Sequence, residues 1–162
     1  VQAQGLRGDI VVESSSASVE VTDVTDGHIH VKTLSGKVHL IQIRNSRVDV
    51  MSVSGDVDLR AATRSVVRVN TAGGQITYEG DPGPEGEYRF TSNSGNVEVS
   101  IPASAEVEIE ARSSGGAYDK SPRSDGSFPA IGEGNQLLKS GRASAPRFEL
   151  HSFRGKVHVR RP

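Results

Sequence analysis

Hydrophobic and polar residues alternate along most of the chain in short segments that come in pairs around a Ser-Gly turn. The clearest pair lies in residues 47–59, where Arg47 to Val50 and Asp56 to Leu59 alternate on either side of Ser54-Gly55. Strict two-residue alternation is typical of a β-strand with one buried face. The segment therefore predicts two short strands joined by a glycine turn.

This strand-turn-strand unit recurs along the chain, and one glycine marks each copy. The turn glycines, which we predict to be structural, are Gly36, Gly55, Gly74, Gly95, Gly115 and Gly155. They follow one another at steps of 19, 19, 21, 20 and 40 residues, the last step being two periods. A fixed period of this size is typical of a solenoid, a propeller or an array, in which each unit buries its apolar face by stacking on its neighbours.

We therefore predict an all-β repeat fold of stacked coils, with about 19–20 residues and two short strands per coil. A right-handed coil is expected, because parallel crossover connections are almost always right-handed. Residues 1–162 should form a single repeat domain. Within it, residues 1–31 are expected to be irregular N-terminal coils, since terminal repeats are often atypical.

The C-terminal part departs from the repeat. Residues 119–146 are rich in Ser, Gly, Pro and charged residues, which predicts a long loop or a replaced coil that packs across the open end of the stack. Residues 147–160 return to the pattern and are predicted to form the final coil.

The alternation also assigns side chains to faces. The inward positions of the central repeats are Ile29, Val31, Val38, Leu40, Val48, Val50, Val57, Leu59, Val67, Val69, Ile76 and Tyr78. Thr33, Ser52 and Thr71 share this phase at the turn, where their hydroxyls can bond backbone groups. If outward residues one period apart are neighbours, four charged pairs should meet: Lys37 with Asp56, His39 with Asp58, Asp49 with Arg68, and Arg89 with Glu108.

The turn glycines have a backbone explanation. A chain that reverses every nine or ten residues needs positions that tolerate a positive φ, and glycine supplies this tolerance. A phosphate-binding loop is disfavoured, because such a loop opens a helix and no helical pattern follows these turns.

Composition excludes several classes of function. The net charge is −1 with both signs interspersed, so nothing favours a nucleic-acid partner. Cysteine is absent, so a disulfide framework and a thiolate metal site are excluded. No apolar run is long enough to span a membrane, so direct membrane insertion is not expected. The chain begins without Met or a targeting segment, and we expect that any such segment has been removed.

Three clusters could carry chemistry, and each has a structural alternative. The candidate metal ligands are His28, His30 and His39; the acidic stripe is Glu106, Glu108 and Glu110; the candidate carboxylates for glycoside cleavage are Asp49, Asp56 and Asp58. His39 should lie on the other sheet, and a solvated outward face explains the glutamates better. The chain has few aromatic residues to grip sugar rings, 4% of the total. We therefore expect no catalytic residues and no cofactor.

The recurrent Thr/Ser-x-Ser-Gly-x-Val-x-Leu pattern, with Val99-Ser100-Ile101-Pro102-Ala103 and a later Ser114-Gly115, resembles the bacterial family of β-strand-repeat domains that carries an adhesin label. Gly132-Glu133-Gly134 and the strand from Gly155 to Val159 fit the last two places of that pattern. The likeness covers roughly residues 5–160. Arg154 stands where the family usually has Ser, and we expect that any signal or anchor segment has been removed.

The resemblance implies a single-stranded β-helix-like solenoid outside the bacterial cytoplasmic membrane, with no established catalytic residues. We expect a non-enzymatic module of the cell envelope or surface that binds, or senses, a protein or glycan. One alternative is a structural scaffold in which copies assemble into a homo-oligomer through the solenoid ends. A less favoured alternative is a polysaccharide-active β-helix enzyme.

Overall fold

The computed structural model describes residues 1–102, 104–113, 134–140 and 145–160, in which all regular structure is β-strand. The strands form two sheets. In spatial order the seven-stranded sheet contains β1 (Gln2–Gln4), β3 (Val19–Thr25), β5 (Val38–Arg44), β7 (Val57–Thr63), β9 (Ile76–Glu79), β11 (Val97–Ser100) and β15 (Val157–Arg160). The eight-stranded sheet contains β13 (Gly134–Ser140), β12 (Val107–Ser113), β14 (Arg147–Ser152), β10 (Glu87–Ser92), β8 (Val66–Thr71), β6 (Arg47–Ser52), β4 (Gly27–Thr33) and β2 (Gly8–Ser14).

Successive strands of the chain alternate between the two sheets as far as β12, and neighbouring strands within a sheet are parallel except for β12 and β13. Val48 pairs with Ile29 and with Val67, each 19 residues away. Between β8 and β10 the step lengthens to 21, as in the pair of Val67 and Tyr88. The prediction of a β-solenoid with two strands per coil is confirmed. Its right-handed sense stays a prediction.

Residues 1–31, expected to be irregular, contain β1 to β4. The strands β2 and β4 pair in the register of the central coils, Ile10 opposite Ile29, whereas β1 and β3 are offset by 18 residues, as in the pair of Gln2 and Glu20. The outermost coil is the less enclosed one, since Ile10 and Val12 are each 8% exposed while Ile29 and Val31 are fully buried.

The last coil in chain order is not the last coil in space. The strand β14 lies between β10 and β12, and β15 pairs with β11, so residues 147–160 stack directly on the coil of residues 87–100. The prediction that Arg89 lies beside Glu108 is therefore wrong. Arg89 faces Glu149 instead, and its guanidinium approaches the Glu149 carboxylate to 2.8 Å.

The strand β13 lies within the segment 119–146 that the sequence predicts to be a loop or a replaced coil. It pairs antiparallel with β12 and so satisfies the backbone groups of that edge. Residues 119–133 and 141–144 of this segment lie outside the described residues.

The core runs the length of the stack between the two sheets. Every predicted inward residue from Ile29 to Tyr78 is buried. Among the described residues its aromatic part lies in three neighbouring coils, where Phe148 stacks on Tyr88 with ring centroids 4.5 Å apart and meets Tyr78 edge-on at 5.4 Å. Phe148 can fill this place only because β14 lies next to β10.

The hydroxyls of Tyr78 and Tyr88 both donate to the carbonyl oxygen of Ala62, at 2.7 and 2.9 Å. Burial raises the pKa of both phenols, that of Tyr88 to about 12. In the unfolded chain they ionise near pH 10. Above pH 10 the unfolded state therefore binds fewer protons than the folded state, and stability must fall as pH rises.

We accordingly expect these two tyrosines to lower the free energy of unfolding above pH 10, by about 1.4 kcal/mol per tyrosine per pH unit. Urea titrations at a series of alkaline pH values measure the slope of the unfolding free energy against pH. Tyr88→Phe should remove the contribution of one tyrosine from this slope. Ionisation of both phenols at pH 10 in the folded protein, seen by absorbance at 295 nm, would contradict the assignment.

The turn glycines are required by close packing and not by a positive φ, so the predicted reason is wrong. A Cβ built on Gly36, Gly55, Gly74, Gly95 or Gly155 would lie 1.9–2.1 Å from the carbonyl oxygen of the equivalent residue one coil before. None of these five has a left-handed backbone. The sixth, Gly115, lies outside the described residues.

The backbone amide of each of these five turn glycines donates a hydrogen bond to the side-chain hydroxyl of the residue three positions before it. The Gly74 amide donates to Thr71 Oγ1 at 3.0 Å, and the Gly55 amide donates to Ser52 Oγ at 3.0 Å. The predicted role of Thr33, Ser52 and Thr71 as bonding partners of the turn backbone is confirmed.

Positive φ angles occur at the opposite corner, largely in residues other than glycine. Most of them form two ladders, one of Gly5, Asp23, Gln42, Ala61 and Gly80 and one of Asp26, Asn45, Arg64 and Gly83. Within the second, the Asn45 amide donates to the Asp26 carboxylate one coil away. Side-chain bonds of this kind compensate part of the backbone strain at such positions.

Candidate functional site

The outer face of the eight-stranded sheet carries a group of exposed apolar side chains near the glycine corner. Leu34, Met51, Val53 and Phe153 are 47–54% exposed. They lie in the outward phase of a strand or in the turn that follows it, so none of them can reach the core. Clusters of this kind usually mark an interaction site.

A furrow separates these apolar residues because the side chains between them are short. In the turn ladder, Ala72 and Asn93 lie between Val53 and Phe153; in the adjacent strand ladder, Asn70 and Thr91 lie between Met51 and His151. Coils are spaced about 4.8 Å apart, so the walls on β6 and β14 stand about 14 Å apart over a floor on β8 and β10. The Phe153 wall is braced by the His151 ring, 4.5 Å away.

The furrow follows the strand direction. A concavity of about 450 Å³ lies at the glycine corner, between Leu34, Val53 and Phe153. A second, of about 300 Å³, continues along β8 and β10 towards Arg68 and Arg89, and the two share Met51, Asn70 and Thr91. One end of the furrow is thus apolar, the middle is lined by amide and hydroxyl groups, and the other end is lined by guanidinium groups.

The charged end contains two arginines side by side. Arg68 pairs in register with Asp49 on one side and with Arg89 on the other. Asp49 approaches His28 at 3.2 Å and Arg47 at 3.9 Å, and Arg89 is bound by Glu149. No ion pair within the described part of the chain involves Arg68. Adjacent like charges destabilise a sheet, and an anion at Arg68 would relieve this.

The histidines predicted as metal candidates are not brought together. His28 and His30 lie on β4 in one sheet and His39 on β5 in the other, as the alternation predicts. His28 contacts Asp49, and His39 Nδ1 lies 3.5 Å from Asp58 Oδ2. Across the described residues, no group of three or more His, Asp or Glu side chains is placed to hold a metal ion.

The carboxylate candidates are likewise dispersed. Asp58 lies on the seven-stranded sheet near Arg60, and Asp56 accepts a hydrogen bond from the Gln75 amide at 3.0 Å. In the acidic stripe, the hydrogen bond from Arg112 holds the pKa of the Glu110 carboxyl below its usual value, and Arg147 adds to this effect. Glu108 pairs in register with Arg147. These carboxylates stabilise contacts between coils.

The model of the Toastrack DUF4097 family matches residues 7–130. The chain belongs to this family. No curated protein and no solved structure matches the chain.

The predicted resemblance is thereby confirmed at the level of a β-solenoid repeat domain of unknown function, while the adhesin character and the bacterial origin stay predictions. The match to the Toastrack model ends before β13, so it includes both floor strands of the furrow and excludes the wall formed by Phe153. Within the described residues there is no helix that could cross a membrane.

The furrow residues did not stand out in the sequence. The available signal was apolar side chains at positions where the alternation requires polar ones, namely Met51 between the inward Val50 and Ser52, and the turn residues Leu34, Val53 and Phe153. Sequence position alone could not place Phe153 opposite Val53, because that neighbourhood depends on the displaced final coil.

Proposed function

We propose that this Toastrack chain is a non-enzymatic binding module of the bacterial cell envelope or surface, and that it holds its partner in the furrow between β6 and β14. The observation that supports this proposal is the cluster of exposed apolar side chains that lines the furrow. Leaving Met51, Val53 and Phe153 in water is unfavourable for the isolated protein, and a partner that covers them would gain the corresponding hydrophobic free energy.

The absence of catalysis is part of the proposal. Asp49, Asp58 and Glu110 each lie within 4 Å of a cationic or histidine side chain, and they are spread over different strands and sheets. Glycoside cleavage requires two carboxyl groups about 5 to 10 Å apart around one groove. Among the furrow-lining residues only Asp49 carries a carboxylate.

The N-terminal end of the stack favours a binding module over a scaffold that grows end to end. Ala17 holds the place of Gly36 one coil earlier, since its amide and carbonyl both bond Ser14 Oγ at 3.1 Å. In the ladder, a Cβ at this place points at the carbonyl oxygen of the preceding coil. The Ala17 methyl group therefore blocks a further coil of the same geometry at this end.

Site-specific photo-crosslinking tests the proposed function. We expect that replacing Met51 by p-benzoylphenylalanine and irradiating the protein with an envelope fraction of the source bacterium yields a discrete adduct. The same residue at Val11, which is 69% exposed on the same sheet but outside the furrow, serves as the control. Equal labelling from both positions, or none from Met51, would refute binding in the furrow.

A further inference from the structure

The furrow has a repeating chemistry along its length that restricts what can occupy it. Along β8 and the turn residue that follows it, position 72 lies at the apolar end, position 70 in the amide and hydroxyl part and position 68 at the guanidinium end. These outward positions alternate with buried ones, so the three zones are each two residues apart. Since a strand rises about 3.3 Å per residue, the apolar and cationic zones are about 13 Å apart.

An extended polypeptide has the same spacing. Its side chains at positions 1, 3 and 5 point to one side and span about 13 Å. An apolar side chain at one end would enter the notch between Val53 and Phe153, a polar side chain would face Asn70 and Thr91, and a carboxylate would reach Arg68.

We propose that the furrow binds an extended peptide segment of a partner protein that carries an apolar side chain, a polar side chain and a carboxylate at alternate positions. This proposal rests on the function proposed above and names the chemistry of the partner. The carboxylate is favoured by charge complementarity, because Arg68 and Arg89 are adjacent like charges and, in the described part, only Arg89 has carboxylates within ion-pair distance, those of Glu149 and Glu87. A carboxylate held by a guanidinium forms the stronger, charge-assisted kind of hydrogen bond.

The favoured class is a polypeptide and not a neutral glycan. Sugar rings are gripped chiefly by exposed aromatic faces, and Phe153 is the single aromatic residue among those lining the furrow, with its ring packed against His151. A neutral glycan also brings no charge to offset the paired arginines.

Fluorescence anisotropy with short acetylated peptides tests the proposal. One peptide carries Leu, Thr and Glu at the three alternating positions, a second carries Lys in place of Glu, and a third carries Ser in place of Leu. We expect the Glu peptide to bind about tenfold more tightly than the Lys peptide in low-salt buffer, and the Ser peptide to bind more weakly than the Leu peptide.

Arg68→Glu should reverse the preference between the Glu and Lys peptides. Arg44→Glu changes the net charge equally on the exposed surface of the other sheet, and it should leave the preference intact. Circular dichroism melts of both variants establish that they fold. Phe153→Ala should lower the affinity for the Glu peptide and for the Lys peptide by the same factor, because it alters only the apolar end of the furrow.

Equal affinity for the Glu and Lys peptides, or an unchanged preference in Arg68→Glu, would overturn the proposal. If no peptide binds but position 51 still forms a crosslink, the peptide proposal is overturned while the furrow remains a binding site. Binding of a neutral oligosaccharide in place of the peptides has the same consequence. Failure of both the peptides and the crosslink would remove the proposed function as well.

Discussion

Replacing Gly74 by alanine is expected to destabilise the protein strongly. Overpacking usually costs about 1–3 kcal/mol, and the loss here should exceed that range. The new Cβ would lie 2.0 Å from the Gly55 carbonyl oxygen and 2.6 Å from its carbon. Neither group can move away easily, because the Gly55 amide is bonded to Ser52 and the coils on both sides are in register. The coils at this corner would have to separate, and the bonds that join them would weaken.

Gly73→Ala is the matched control, since it adds the same methyl group one residue earlier in the same turn. Its Cβ would meet nothing closer than Ser94 Oγ and the Val53 carbonyl oxygen, both at 3.7 Å, and Gly73 does not have a positive φ. We expect this variant to be neutral or more stable by a few tenths of a kcal/mol, through the reduced entropy of its unfolded chain.

Chemical denaturation of both variants gives the two differences in unfolding free energy. Similar values would show that the coils do not approach as closely at Gly74 as described. The same kind of contact predicts that Gly55→Val does not fold, because its Cβ would lie 2.0 Å from the Gly36 carbonyl oxygen.

The second large effect is expected for Phe148→Ala, at about 3–5 kcal/mol. Phe148 is fully buried, stacks on Tyr88 at 4.5 Å and contacts the rings of Tyr78 and Phe90. Truncating it removes an aromatic ring from the middle of the core and leaves a cavity, because coils above and below prevent collapse.

Phe153→Ala provides the comparison, because it deletes the same side chain five residues later from an exposed position. Its loss should stay below about 1 kcal/mol, as for most surface substitutions. If residues 147–160 formed the outer end of the stack, Phe148 would be only partly covered. A loss from Phe148→Ala as small as that from Phe153→Ala would therefore refute the position of β14 between β10 and β12.

The order of the coils was not readable from the repeat, and the reason is physical. Every copy presents the same inward alternation of apolar residues and the same hydroxyl before its glycine, so any two copies have compatible backbones and edges. The order instead depends on side-chain volume. The rings of Tyr78, Tyr88 and Phe90 accept Phe148 as a neighbour, whereas β12 contributes the smaller Val107, Ile109 and Ala111.

The alternating strands of residues 28–79 determined the solenoid, its buried faces and the hydroxyl ladder at its turns, because a two-residue period with a fixed 19-residue repeat allows one burial pattern per coil. Only the tertiary structure decided why the turn residues are glycine, since closeness to the preceding coil is a property of two coils and not of one. The furrow was decided in the same way. Its walls, formed by β6 and β14 and the turns that follow them, come from distant parts of the chain. Stacking alone places Val53 and Phe153 on either side of the short turn residues that follow β8 and β10.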